Sequence, residues 1–426
     1  MDRSLWAVLT GTFTLRFSTG LTGAMLGSYL ATLPDHGGEA VSPVTVGLLS
    51  ATFYIAELVL SPLFGILSDR QGHHRVMLYG PAFGAIAVIL TGLSTNLFVL
   101  GGTRWLEGAS TAASVPSILG FLAMVTAGDA ALRGKAAARF EGATLLGLGA
   151  GFAVAPILFA ALGPAAFFLN AVLYGGSFLI FLRVKAPTSE TATLKAPHVG
   201  LRRYLDLLRS SHVWLLAPTW IAVNASIGLW FSQSIFQFAK ADPRFPDQTL
   251  MRGFTAVQIS GTAVVIGIIF GLGLLYWGNR FKNMRRTTII LYGILGGGAL
   301  VAAGLVINHG AGAPLVLVLG GAAVAAFGLF VLAGATPAAL GLLADISERF
   351  PNDRGAIMGL YSVFLAVGQI AGAVVGGFAA EARGIDGMLI ATALLLAVAL
   401  IPLARLRRDE EMVGSTAGAS TAGASE

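Results

Sequence analysis

Twelve apolar runs, each long enough to cross a lipid bilayer, occupy this chain almost from end to end. A helix that spans the hydrocarbon core needs about twenty mostly apolar residues. Runs of that kind fall at 6–33, 43–67, 75–94, 97–126, 137–162, 164–184, 212–238, 254–277, 287–308, 313–344, 355–381 and 386–405. The expected fold class is therefore an all-α polytopic membrane protein with twelve transmembrane helices. Composition agrees: charged residues make up 11% of the chain, against roughly a quarter in a soluble domain. The 56 glycines suit helices that approach closely in lipid. With no cysteine, disulfides, thiolate metal sites and iron–sulfur clusters are excluded. The first run is long and lacks a small-residue cleavage pattern, so it reads as a span and not as a signal peptide.

One long polar stretch, 185–211, interrupts the pattern after six spans and carries Lys185, Lys195, Arg202, Arg203 and Arg209. It divides the chain into a six-helix half at 1–184, a linker at 185–211 and a second half at 212–408. The low-complexity residues 409–426 are expected to be a disordered tail. Basic residues set the orientation. With the amino terminus inside, the inner segments hold 21 of the 27 Lys and Arg, the outer segments hold Lys240, Arg244, Arg252 and Arg383, and Arg16 and Arg104 lie within spans. This predicts both termini in the cytoplasm, and it accounts for the net charge of +6 by topology, without a nucleic-acid partner. The halves also align. Setting Trp6 on Trp214 places Ser18 on Ser226, Gly20 on Gly228 and Leu21 on Leu229. Setting Arg133 on Arg354 places Phe140 on Tyr361, Gly147 on Gly368 and Gly151 on Gly372. Parallel six-span repeats with a site between them are a transporter architecture.

The loop after the second span reads GILSDRQGHHR, Gly65 to Arg75. Its Gly65, Leu67, Asp69, Arg70, Gly72 and Arg75, at a turn between two spans, resemble the signature loop of the major facilitator superfamily, with His74 where a basic residue is usual. Span four contains RWLEGASTAA, similar to that family's helix 4 motif through Arg104 and Gly108. Span five contains GLGAGFAVAP, which resembles the helix 5 motif of drug-efflux members through Gly151 and Pro156 but departs from it at Ala155, Phe159 and Ala160. The same glycines are no nucleotide loop, because no strand precedes them. The resemblance implies two pseudo-symmetric six-helix bundles that rock about a central cavity, with gating by Gly65, Asp69, Arg70, Gly72, Arg75, Gly151 and Pro156. Gly65 is expected to let helix 2 approach helix 11, and Asp69 to meet the positive amino end of helix 11.

Ionisable residues within spans are expensive and line cavities or pair with one another. Arg16 and Glu57 each lie roughly 15 Å from the inner side at the standard helical rise, so they should sit at similar depth. They read either as a structural ion pair or as a protonatable acid with its basic partner. Arg104 and Glu107, three residues apart on one helical face, can pair, and Glu107 is the rival proton site; Glu141 lies nearer a helix end. The second half has Asn224 at the repeat position of Arg16. Its Trp220, Trp230, Gln233, Gln237, Gln258, Tyr361 and Gln369, with Arg16 and Asn224, are the candidate substrate contacts, although each could equally be a bond between helices. His73 and His74 complete no metal set, so no metal site and no cofactor are expected. No Walker loop points to an ATP-driven pump, and no nucleophile–base constellation points to an enzyme. The resemblance implies a secondary transporter, a monomer in the inner membrane that moves a small organic solute, with proton coupling and export favoured over import or organic-anion carriage. A non-transporting sensor would carry a soluble output domain, and no such domain is evident.

Overall fold

The computed structural model describes residues 3–127, 129–184, 213–282, 284–348 and 354–422. It is helical throughout, with no strand among the described residues. The first half comprises α1 (Arg3–Ala31), α2 (Pro43–Gln71), α3 (His73–Leu93), α4 (Leu97–Val125), α5 (Ala130–Leu162) and α6 (Ala165–Leu182). The second begins with α7 (Val213–Ala239), α8 (Ala256–Gly278), α9 (Arg286–Asn308) and α10 (Leu315–Ile346). The helical run Arg354–Ala422 is broken at Arg383 and at Gly384, whose φ of +59° suits a residue without a side chain. The break yields α11 (354–382) and α12 (385–422). Ten helices are individually apolar and long enough to count as spans among the described residues, with α11 and α12 merged in one of them. The count leaves out α1, a helix studded with Thr10, Thr12, Thr14, Arg16, Ser18, Thr19 and Thr22.

Several helices outrun their apolar cores, because backbone bonds continue into polar flanks where local chemistry caps them. The α5 helix starts at Ala130, seven residues before the apolar run, because the Asp129 carboxylate accepts the Leu132 N–H at 2.9 Å. Ser42 caps α2 ahead of Pro43, and Asn96 caps α4 through the Phe98 and Val99 N–H groups. Gly72, at φ +94°, lets the chain turn straight from α2 into α3. The last helix continues to Ala422, into the stretch read from composition as a tail.

The two halves are built on the same crossing. A Cβ added to Gly147 of α5 would lie 2.6 Å from the Phe13 carbonyl oxygen and 3.0 Å from the Arg16 Cβ of α1. One added to Gly368 of α11 would lie 2.7 Å from the Ile221 carbonyl oxygen and 2.6 Å from the Asn224 Cβ of α7. One turn on, Gly151 abuts Phe17 and Leu21, and Gly372 abuts Ala225 and Leu229. In the reverse direction Gly20 meets Leu148, and Gly228 meets Gln369. Every pair obeys the two offsets read from the sequence alignment. Asn224 thus stands where Arg16 stands in the other half.

The end of the bundle that holds the Gly65–Arg75 loop is termed proximal here, and the other end distal. Among the described residues, close glycine contacts between the halves lie at the distal end. Gly47 of α2 packs on Ala373 and on the Gly377 Cα of α11, and Gly377 in turn faces Pro43 and Val44. Gly27 of α1 packs on Ile235 of α7, and the Gln233 amide donates to the Pro43 carbonyl oxygen at 2.9 Å. At the proximal end, a Cβ on Gly65 would meet nothing within 4 Å among the described residues except the Pro116 Cβ at 3.9 Å, on α4 of its own half. The start of helix 11, which Gly65 and Asp69 are expected to approach, lies largely outside the described side chains. Large apolar side chains such as Leu275, Val316, Phe327 and Leu394 are exposed around the outside, as a lipid-facing surface requires.

Candidate functional site

Midway along the first half, five helices bring their polar side chains together. Arg16 of α1 is half-buried and is the charged neighbour of Glu57 of α2 and of Glu141 of α5, while Tyr174 of α6 lies under the influence of Arg104 and, less, of Arg16. The ring of Tyr174 fills the space left by Gly84, and its hydroxyl lies 3.4 Å from Thr19. Asn170 of the same helix, fully buried, donates to the Ser18 carbonyl oxygen at 3.0 Å and to the Thr22 hydroxyl at 2.7 Å. These contacts fix α6 against α1 and hold the wall behind Arg16.

Arg104 and Glu107 of α4 lie deeper. They are 8% and 2% exposed and form an ion pair with one another, while the guanidinium lies 4.8 Å from the centre of the Phe53 ring. Gly108 lets α4 close on the backbone of α2 at Phe53, Ala56 and Glu57. The two proton-site candidates therefore differ in kind. Glu107 is committed to a fixed guanidinium in a protein-lined contact, whereas Glu57 is half-buried, Glu141 is exposed, and both have Arg16 as their charged neighbour. The formal charges are two arginines against three glutamates, leaving one negative charge in excess. Glu141, which its position near a helix end makes easy to discount, belongs to the cluster because α5 crosses α1 beside Arg16.

The second-half candidates are placed differently from one another. Asn224 is buried and donates to the Trp220 carbonyl oxygen one turn back at 2.9 Å, and Trp220 itself is packed in the core of that half. The Trp230 indole N–H donates to Thr392 of α12 at 3.0 Å. Gln233 reaches across to Pro43, and Gln237 donates to Gln233 at 3.4 Å, so both belong to the distal seam. Gln258 completes a capping box with Thr255 at the start of α8, accepting the Thr255 N–H at 2.9 Å. Gln369 is 7% exposed and packs against Gly228 at the α7–α11 crossing. The Tyr361 side chain lies outside the described residues.

Around the signature loop, Asp69 is exposed with His73 3.9 Å away, and Arg70 and Arg75 are exposed. His73 lies against Gly120 of α4 and within 3.2 Å of the Ser68 hydroxyl, and His74 lies 3.0 Å from the Phe181 carbonyl oxygen of α6. The loop is thus docked on its own half. Pro156 is buried within α5, one turn beyond the Gly151 crossing. A proximal pair that spacing did not disclose, Arg286 of α9 with Asp345 of α10, lies where Gly341 leaves room for the guanidinium.

The sequence has recognisable relatives. Residues 8–333 match the profile of the Major Facilitator Superfamily. Multidrug resistance protein 2 of Bacillus subtilis is 25% identical over 343 residues, covering 79% of this chain and 80% of that protein. The quinolone resistance protein NorA of Staphylococcus aureus is 23% identical over 308 residues, covering 69% and 71%. The crystal structure of the nucleoside transporter NupG superposes with a TM-score of 0.72 over 96% of this chain and 99% of that one, at 14% identity, a likeness of fold. With its signature loop, its twin six-helix halves and a profile match across most of its length, the chain belongs to the Major Facilitator Superfamily of membrane transporters.

Proposed function

We propose that this transporter exports a small organic solute in exchange for protons, with Glu57 as the proton carrier. The observation that carries the reading is the mid-span cluster with one negative charge in excess. A proton on Glu57 brings the cluster to neutrality, with Glu107 balancing Arg104 and Glu141 balancing Arg16. Without the proton, the excess charge favours a solute bearing a positive or strongly donating group. Proton and solute then compete for one site, which is the minimum requirement of antiport. Because Glu141 also serves Arg16, protonation of Glu57 does not leave Arg16 bare, and the solute need not be an anion. The resistance proteins among the relatives favour export of organic compounds.

In this reading the proximal end faces the cytoplasm with both termini, following the basic residues, in the plasma membrane of the cell. The halves span 1–184 and 212–408, joined by a linker at 185–211 and followed by a tail at 409–426, and one chain suffices as a monomer. The distal seam is then the closed outer gate, with the cavity reached from inside. Proteoliposomes test the coupling. Glu57→Gln should retain solute exchange but lose accumulation against a pH gradient. Accumulation that survives Glu57→Gln and disappears in Glu107→Gln would transfer the role to Glu107.

A further inference from the structure

On the distal surface of the second half, three segments far apart in sequence converge: the α7–α8 loop with Asp247, the residue after α9, His309, and the start of α12 with Asp386. His309 Nε2 lies 2.8 Å from Asp386 Oδ2, and His309 Nδ1 lies 3.6 Å from Asp247 Oδ2. One ligand atom from each residue falls within 4.8 Å of the other two. We propose that Asp247, His309 and Asp386 hold a divalent cation of the zinc class, with water completing its coordination.

The donor set is one imidazole nitrogen and two carboxylate oxygens, a combination used by zinc and its first-row neighbours. Ligands about 2.1 Å from such a metal stand roughly 3.0–3.4 Å from one another. With Nε2 as the ligating nitrogen, the His309–Asp386 separation is already close to that edge, and Asp247, within 4.8 Å, has to close by up to about 1.5 Å. Asp247 can move, since it is on a loop, its side chain is 67% exposed and it makes no hydrogen bond among the described residues. At 3.6 Å its approach to His309 is too long for a hydrogen bond. Two carboxylates face one imidazole, so the group stays negative even with His309 protonated, and the neighbouring Arg244 is engaged by Asp242 and Glu381.

The surroundings fix the carboxylate as a metal's outer shell does. Asn308, fully buried, donates to Asp386 Oδ1 at 2.8 Å and accepts the Leu250 N–H at 3.0 Å. Gln248, 3% exposed, accepts from the Asp386 N–H and from Asn308, each at 3.2 Å, and donates to the Arg383 carbonyl oxygen at 2.9 Å. Two buried amides thus orient one surface carboxylate and the loop that bears Asp247. The same loop supplies Pro243 and Arg244 to the distal crevice against Pro34 and Pro43. A bound cation would hold the lip of that crevice.

The test uses purified, tag-free full-length protein after chelator treatment, titrated calorimetrically with Zn²⁺ and with Mg²⁺ as the hard-cation control. The expected result is one Zn²⁺ per chain, a rise of several degrees in melting temperature and negligible response to Mg²⁺. Asp247→Asn and His309→Gln should each weaken Zn²⁺ binding at least tenfold, while a second exposed carboxylate, Asp35→Asn, leaves it unchanged. If His309→Gln does not fold, the exposed Asp247→Asn still decides. Zinc affinity that Asp247→Asn leaves intact, or no saturable binding to the wild-type chain, would overturn the site and leave His309 simply bridging two aspartates.

Discussion

Two glycines on α5, two residues apart, should respond in opposite directions to the same added methyl group. Gly151 lies against α1: a Cβ there would sit 2.7 Å from the Leu21 backbone nitrogen and closer still to the Phe17 carbonyl oxygen. Neither neighbour is a flexible side chain, so Gly151→Ala forces the helix axes apart by several tenths of an ångström. Overpacking of that kind costs about 1–3 kcal/mol. Gly149 has nothing within 4 Å of its added Cβ, so Gly149→Ala only removes the helix penalty of glycine, a gain of about 1 kcal/mol. The two variants should therefore differ by about 2–4 kcal/mol on these magnitudes. Melting of the purified protein in detergent or nanodiscs, followed by loss of monodisperse material, would measure the ranking. Gly372→Ala should fall with Gly151→Ala, because it meets the Leu229 nitrogen at 2.8 Å in the matching crossing of the other half. If Gly151→Ala melts at or above Gly149→Ala, the crossing is not backbone-tight and the symmetry argument built on it fails.

Glu107→Ala strands Arg104 in a contact where it is 8% exposed and should cost about 3–5 kcal/mol, seen as a collapse in the yield of folded protein. Asp69→Asn should leave melting and solute binding near wild type, since its side chain is 55% exposed, yet abolish turnover; wild-type transport rates would remove Asp69 from the gate. Partial burial pushes the Asp242 carboxyl up, but hydrogen bonds from Arg244 outweigh it and hold the group below its usual range. The resulting stabilisation is complete above the free carboxylate's value, about 4, and is lost as pH falls through the lower folded value. Asp242→Asn should flatten that acid limb in melting curves while costing at most about 1 kcal/mol at neutral pH, because the Arg244 side chain is 48% exposed.

The helices and the duplication were legible because both depend on periodic features: apolar length for the spans, and fixed offsets of 208 and 221 residues for the crossings. Helical rise alone places Arg16 and Glu57 at one level, and Arg16 is the charged neighbour of Glu57 in the structure. Azimuth and partner were not legible. Gln258 has the polarity of a ligand contact, but its distance from Thr255 makes it a cap, and Gln233 and Gln237 are spent on the distal seam. Glu141 looked peripheral along α5, and only the crossing with α1 brings it to Arg16. The Arg244–Glu381 pair bridges 137 residues, and His309 reaches Asp386 across 77. No spacing rule connects residues brought together by the packing of separate helix ends.

The distal seam has a further consequence for turnover. Gly47, Gly377 and Gly27 meet the opposite half through backbone and aliphatic surface, and the Gln233–Pro43 hydrogen bond is a neutral one. Such a junction gains dispersion when shut, while the hydrogen bond, worth about 1 kcal/mol net, is exchanged for water when it parts. No buried ion pair has to be torn open at these contacts. The two positions of the halves can then lie near each other in free energy, and a bound solute tips the balance only by its differential affinity for them. A hinge poised in this way returns as readily as it opens, so the solute's differential affinity alone can select its position.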